Sequence, residues 1–92
     1  MERMTDLFYV YILKCSDNSL YTGYTDCLEK RLKKHNEGKA SKYTRSRLPV
    51  SMVYSEVHPD KSSAMKREIW IKSIGREGKI KLIQEASDEP LV

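Results

Sequence analysis

Residues 26–36 have helical spacing and place two groups with chemical potential on an apolar face. Steps of three and four residues from Leu28 reach Arg31, Leu32 and His35. A guanidinium offers a planar fork of hydrogen-bond donors, and an imidazole can donate or accept near neutral pH. Either both side chains lie at the edge of the apolar stripe and extend into water, or they form part of a site.

A second helical segment repeats this pattern with a carboxylate. Glu68 follows Ala64 at i+4 and lies among the apolar residues predicted to face inward, which are Ala64, Met65, Ile69 and Ile71. Burying a carboxylate costs several kcal/mol unless it is paired or binds a metal. An inward Arg31 and an inward Glu68 are therefore either a structural ion pair or a functional site, and the residues alone leave both open.

Four of the six tyrosines, Tyr9, Tyr11, Tyr21 and Tyr24, lie in two segments that read as strands. Aromatic residues in a hairpin core are their ordinary explanation. Gly23 lies within the second strand, where it adds nothing to packing, and such a glycine marks a bulge or the close approach of another group.

Two strands and a helix must position these side chains. Residues 7–14 and 19–25 are rich in aromatic and β-branched types, and the turn chemistry of residues 16–18 predicts a hairpin. The first helix is predicted to start at Thr25 or Asp26 and to end before Gly38.

The rest of the chain adds one strand and two helices. Residues 38–49 lack a period and predict a loop, and residues 50–57 predict a third strand. A helix capped by Asp60 is predicted to reach Ile74, followed by a short helix over residues 79–85. The order β-β-α-β-α-α predicts an α+β fold in which helices flank a three-stranded antiparallel sheet.

Positive charge is concentrated in one segment of the chain. Residues 26–50 contain eight basic and three acidic side chains, whereas the whole chain has a net charge of +4. This concentration suits a polyanion such as nucleic acid, and the alternative is a solvated, lysine-rich helix face.

Length and composition predict one small domain over residues 1–85 and a frayed tail over residues 86–92. The sequence has no run of about 18 to 20 apolar residues and no signal-like start, so we expect a cytoplasmic protein without membrane contact. Cys15 and Cys27 are too few for a disulfide scaffold, and with His35 and His58 they match no common zinc spacing.

Taken in order, these residues resemble the GIY-YIG nuclease superfamily. The resemblance is carried by Tyr9-Val10-Tyr11, Tyr21-Thr22-Gly23, Arg31, His35 and Glu68, and it runs from about residue 7 to residue 83. The chain looks most like the small stand-alone bacterial YhbQ/YazA type. Tyr9 stands where the name motif has Gly, and Thr22 where it has Ile.

The resemblance implies a metal-dependent endonuclease that hydrolyses phosphodiester bonds in branched or single-stranded DNA, of the repair and recombination type. It implies that Tyr11 activates water, that Tyr21 orients the water or the phosphate, and that His35 orients Tyr11 or relays its proton. A tyrosine with a pKa near 10 is a poor base at neutral pH, so nearby cationic charge is expected to lower this pKa or to assist.

Arg31 would then bind the scissile phosphate, and Glu68 would hold Mg²⁺ or Mn²⁺, weakly in the absence of substrate. Gly23 would be a structural part of the motif. Predicted nucleic-acid contacts are Lys34, Lys42, Tyr43, Arg45 and Arg47. DNA is expected rather than RNA, with a protein partner supplying substrate specificity. The alternative is a non-catalytic nucleic-acid-binding domain with a degenerate nuclease site.

This assignment requires a particular hairpin register. A two-residue turn at Asp17-Asn18 would place Tyr21 on the face opposite Tyr11. We therefore predict an odd-numbered loop or a bulge at Gly23, either of which puts both tyrosines on one face.

Overall fold

Aromatic and β-branched residues form three strands in the computed structural model, which describes residues 7–87. The strands are β1 (Phe8–Lys14), β2 (Leu20–Thr25) and β3 (Ser51–His58). The helices are α1 (Leu28–Asn36), α2 (Lys42–Arg45), α3 (Lys61–Ser73) and α4 (Gly75–Ser87).

The strands form one antiparallel sheet in the order β2-β1-β3, so β1 is central. Val10, Tyr11, Ile12 and Leu13 of β1 are all at most 2% exposed because helices cover both faces of the sheet. The predicted α+β fold with a three-stranded antiparallel sheet is confirmed.

The hairpin between β1 and β2 has the predicted odd register. A three-residue turn at residues 16–18 joins the strands, with Asn18 in the left-handed region at φ 68°. Leu13 pairs with Tyr21, and Tyr11 therefore lies on the same face as Tyr21. The odd loop alone achieves this, because the pairing of β1 with β2 runs through Gly23 without a bulge.

Different helices cover the two faces of the sheet. On one face, α3 contributes the buried Ala64 and Ile71 to a core with Val10 and Ile12. On the other face, Leu28 and Leu32 of α1 pack against a cluster that includes Tyr11 and Leu13. Side chains of α1 and α3 can therefore meet only around an edge of the sheet.

Two predicted helix starts and one predicted loop were wrong. Helix α1 is capped by Cys27 rather than Thr25 or Asp26, because the Thr25 hydroxyl accepts from the Cys27 N–H before the helix begins. The predicted loop contains the four-residue α2, whose cap Ser41 accepts from the N–H of Thr44. Helix α4 begins at Gly75 rather than at residue 79.

Helix α3 begins after Asp60 as predicted, but its inward face is narrower than predicted. Ala64 and Ile71 are fully buried, whereas Met65 is 40% and Ile69 is 64% exposed. A turn of 3.6 residues aligns positions 64, 68 and 71, and it rotates positions 65 and 69 towards solvent. Glu68 thus keeps its inward placement.

The predicted tail falls mainly outside the described residues. Ala86 and Ser87 end α4, and residues 88–92 are not described. Across residues 7–87, none of the helices combines the length and apolarity that crossing a bilayer requires.

Candidate active site

An open cleft of about 510 Å³ lies at the outer edge of β2. Tyr11, Tyr21, Arg31 and Glu68 line it, and these are four of the five side chains predicted to be catalytic. The fifth, His35, is buried and contacts both tyrosines.

The position of the cleft follows from the packing of the helices. Arg31 belongs to α1 on one face of the sheet, and Glu68 belongs to α3 on the other. Both reach the same cleft because it passes around the edge strand β2. The sheet edge therefore brings a guanidinium and a carboxylate together from opposite faces.

Gly23 makes room for the phenol of Tyr11. A Cβ atom at Gly23 would lie 2.5 Å from Tyr11 Oη and 2.7 Å from Tyr11 Cζ. No side chain fits there without displacing the ring. The close approach expected at this strand glycine is thus made by Tyr11, on the paired strand.

The Tyr11 hydroxyl begins a chain of buried hydrogen bonds. Tyr11 Oη lies 2.9 Å from His35 Nε2, and His35 Nδ1 lies 2.8 Å from Thr44 Oγ1. The three residues are 2%, 1% and 0% exposed. Thr44 was not predicted as part of the site, since it lies in the segment without a helical period.

The two titratable groups of this hydrogen-bonded chain, Tyr11 and His35, are both held neutral. Burial raises the pKa of Tyr11 above its ordinary value, and Tyr21 raises it further, with Arg31 acting in the opposite direction. Burial, followed by the charge of Arg31, lowers the pKa of His35 to about 4. The charge of Arg31 alone does not lower the Tyr11 pKa below its ordinary value, because desolvation outweighs it, so the other expectation, that cationic charge assists the proton transfer, remains a prediction.

Glu68 and Arg31 are not partners of each other. Glu68 Oε2 lies 3.4 Å from Lys72 Nζ, one turn further along α3. Within residues 7–87, Arg31 and Glu68 form no ion pair with each other. The alternative of a structural Arg–Glu pair is therefore wrong, and the cleft between the two side chains stays open.

The donor set suits a weakly held hard cation. In the described part of the chain, no three His, Cys, Asp or Glu side chains lie close enough together to hold a metal. The carboxylate of Glu68 faces an open cleft, and Mg²⁺ commonly takes one or two carboxylates together with waters and substrate phosphates. Glu68 thus fits such an ion if substrate oxygens complete its shell.

Two further charged residues line the cleft, and both were missed from the sequence. Asp26 follows β2 directly, and Lys61 is the first residue of α3 after its cap Asp60. The sequence signal that could have found them is their position, because Asp26 follows the strand that carries Tyr21 and Gly23, and Lys61 begins the helix that carries Glu68. Lys61 adds a cation to the wall that holds Glu68.

The predicted binding residues of the 42–47 segment fall into two groups. Tyr43 stacks with Tyr21 at 5.9 Å between ring centroids, and the Arg47 guanidinium covers the Tyr43 ring at 3.9 Å. Arg47 also donates to Asp17 Oδ2 at 3.0 Å, which ties the segment to the hairpin turn. By contrast, Lys42, Arg45 and, on α1, Lys34 are exposed and form no ion pair within residues 7–87.

The fold and the cleft define a class of protein. A three-stranded antiparallel sheet, covered by helices and carrying two tyrosines, an arginine and a glutamate at one edge, is the arrangement that the GIY-YIG resemblance implied.

Comparison with known proteins identifies the family. A family model described as the GIY-YIG catalytic domain matches residues 7–81. A UPF0213 protein from Staphylococcus haemolyticus is 56% identical over 77 residues, which cover 84% of this chain and 94% of that protein. A UPF0213 protein from Haloquadratum walsbyi is 51% identical over 85 residues, covering 92% and 96% of the two chains.

Solved structures agree with this assignment. The solution NMR structure of a UPF0213 protein from Bacillus halodurans is 45% identical, with a TM-score of 0.56 over 85% of this chain and 83% of that one. A protein from E. faecalis is 36% identical, with a TM-score of 0.63 over 100% and 97% of the chains. The chain belongs to the GIY-YIG superfamily and, within it, to the UPF0213 proteins. Membership supports nuclease activity in general, a nucleic-acid substrate and use of a divalent metal.

The contact between Gly23 and Tyr11 predicts a steric effect on stability. We expect Gly23→Ala to lower the free energy of unfolding by about 1 to 3 kcal/mol, because its methyl group overlaps the phenol ring. Urea denaturation of Gly23→Ala, Tyr11→Leu and the double variant measures this. The penalty should shrink in the Tyr11→Leu background, and an equal penalty in both backgrounds would exclude the contact as its cause.

The low pKa of His35 predicts a loss of stability in acid. The unfolded chain binds a proton at His35 near pH 6.5, and the folded chain binds one only near pH 4. The free energy of unfolding therefore falls as the pH drops from 6.5 to 4, and the contribution of His35 is fully present above pH 6.5. The decrease should be on the order of 2 to 3 kcal/mol. Urea unfolding from pH 4 to 7 measures it. His35→Gln should flatten this dependence, and the same slope in both proteins would contradict the assignment.

Proposed function

We propose that this protein is a metal-dependent endonuclease that hydrolyses phosphodiester bonds in branched or single-stranded DNA. The observation that carries the proposal is the open cleft in which Arg31 and Glu68 face the Tyr11–His35 pair without contacting each other. A structural ion pair would have closed this space.

Arg31 is positioned to bind the scissile phosphate. Its guanidinium can donate to two phosphate oxygens at once, and it stabilises the negative charge that builds up in the transition state. Lys61 on the opposite wall is suited to a neighbouring phosphate of the same strand. Together the two cations fix the backbone across the cleft.

Tyr11 and His35 provide the path for the proton of the attacking water. Since both groups are neutral at pH 7, Tyr11 does not act as a preformed tyrosinate. Instead, the water gives its proton to Tyr11 Oη while the phenol gives its own proton to His35 Nε2, 2.9 Å away. The result is a hydroxide nucleophile, a neutral phenol and an imidazolium.

Glu68 would hold the divalent cation, either Mg²⁺ or Mn²⁺. When bound, such an ion polarises the phosphate and stabilises the leaving oxygen. Lys72, 3.4 Å from Glu68 Oε2, competes for the carboxylate, so the ion is held weakly until substrate is present.

The exposed basic residues beside the cleft are suited to the DNA backbone. Lys34, Lys42 and Arg45 are assigned to phosphate contacts, which orient the strand without reading its sequence. Arg47 covers the Tyr43 ring and donates to Asp17 of the hairpin turn, and both residues are assigned to holding the segment in place. A protein partner is proposed to supply substrate specificity.

Loss of the metal-binding carboxylate should separate cleavage from binding. We expect Glu68→Gln to lower the cleavage rate by on the order of a hundredfold or more, with DNA affinity retained. The assay uses labelled branched, flapped and single-stranded DNA with Mg²⁺, with and without EDTA. Glu77→Gln, an exposed residue on α4, is the matched control and should cleave normally.

The same assay tests the alternative of a non-catalytic binding domain. That alternative is favoured by the engagement of Glu68 with Lys72 and by the departures from the motif at Tyr9 and Thr22. Binding to every DNA without metal-dependent cleavage of any would establish it and reject the endonuclease.

The two groups of basic residues should differ in the salt dependence of DNA binding. We expect Arg45→Ala to reduce the slope of log affinity against log salt by about 0.7 to 0.9, because one phosphate contact is lost. Arg47→Ala should leave the slope unchanged and lower thermal stability instead, since its charge is bound to Asp17. Fluorescence anisotropy from 50 to 200 mM salt measures both slopes. Equal slopes for the two variants would refute this division.

A further inference from the structure

Thr44 has no role in the proton path described above, yet its hydroxyl is the innermost member of that hydrogen-bonded chain. It is 0% exposed, and it lies 2.8 Å from His35 Nδ1. Its other contacts are Ser41 Oγ at 3.0 Å and the Ser41 carbonyl oxygen at 3.4 Å. Within the described part of the chain, Ser41 thus supplies every polar partner of the Thr44 hydroxyl other than His35.

The positions of the protons in the Tyr11–His35–Thr44 hydrogen bonds can be assigned from the acceptors that are present. A hydroxyl has one proton to donate, and a backbone carbonyl can only accept. If Thr44 donates to an oxygen of Ser41, its lone pair is left to accept from His35 Nδ1–H. His35 Nε2 then has no proton and accepts from the Tyr11 phenol, so each of the three protons has an acceptor.

The opposite arrangement leaves one proton without an acceptor inside the protein. If Thr44 donated to Nδ1, Nε2–H would have to donate to Tyr11 Oη. The phenol proton would then have only water in the cleft that Tyr11 lines as an acceptor. The first arrangement instead pairs all three protons with acceptors inside the protein, and this favours it.

We propose that Thr44 is a positioning residue that fixes His35 in the Nδ1–H tautomer, so that Nε2 is free to accept the proton of Tyr11. This inference rests on the proposed endonuclease function for its catalytic consequence, but not for the tautomer itself. Ser41 contributes by accepting from the Thr44 hydroxyl and by capping α2, which holds Thr44 in place.

The chain offers a matched control for removing this hydroxyl. Thr22 is also buried, at 1% exposed, and its Oγ1 makes no hydrogen bond within residues 7–87. Thr22 lies on the other face of the sheet from Tyr11, since strand residues alternate. Thr22→Val therefore makes the same chemical change without touching the chain of hydrogen bonds.

Long-range ¹H–¹⁵N NMR of the full chain reads the tautomer of His35 directly, with His58 as an internal reference. We expect the Nδ1–H form in the wild type, in Thr44→Ser and in Thr22→Val. Thr44→Val should shift His35 towards Nε2–H and lower the cleavage rate by roughly tenfold or more, with DNA affinity unchanged. Rescue by Thr44→Ser would show that the hydroxyl, rather than packing volume, is responsible.

The outcomes separate this inference from the endonuclease. An Nε2–H tautomer in the wild type would overturn the inference even if Thr44→Val failed to fold, and so would an unchanged tautomer in a folded Thr44→Val. The expected tautomers in a protein that cleaves no DNA would support the role of Thr44 and reject the endonuclease.

Discussion

The hydrogen bond between Tyr11 and His35 is the contact on which the geometry of the cleft depends. It joins the central strand to α1 in a region where both side chains are almost fully buried. A buried donor or acceptor left unpaired costs about 1 to 3 kcal/mol, so the phenol and the imidazole hold each other in place. The second nitrogen of His35 extends the same requirement to Thr44 and so to α2. A four-residue helix that could not form in isolation is thus fixed against the sheet.

Much of this arrangement could be predicted because it follows from parity and periodicity. Two tyrosines that share a site must lie on one face of a hairpin, and this required either an odd loop or a bulge at Gly23, of which the structure has the odd loop. Likewise, Ala64, Glu68 and Ile71 share a face through the 3.6-residue turn, whatever their chemistry. The prediction was wrong for Met65 and Ile69 because apolar type was taken as a sign of burial. A three-stranded sheet is too narrow to cover more than one stripe of α3.

What could not be predicted depends on contacts between distant residues. Thr44 contacts His35 from a segment whose sequence has no helical period. Glu68 pairs with Lys72 on its own helix rather than with Arg31 across the cleft. The role of Gly23 was visible only as a close approach of unknown origin. The structure identifies the approaching group as Tyr11. Local sequence therefore indicated which residues were unusual, and packing decided what each one touches.

In the proposed endonuclease, the charge distribution would couple substrate binding to proton transfer. Without substrate, burial and the positive charge of Arg31 keep the pKa of His35 at about 4, so His35 is a weak proton acceptor. A phosphate bound to Arg31 brings negative charge that offsets this effect and raises the pKa of His35 towards its ordinary value. The same negative charge disfavours a tyrosinate at Tyr11, so the phenol can release its proton only as it takes one from water. Under the proposed mechanism, the nucleophile would therefore form only when the phosphate is in place, and the neutral Tyr11–His35 pair would stay inert until then.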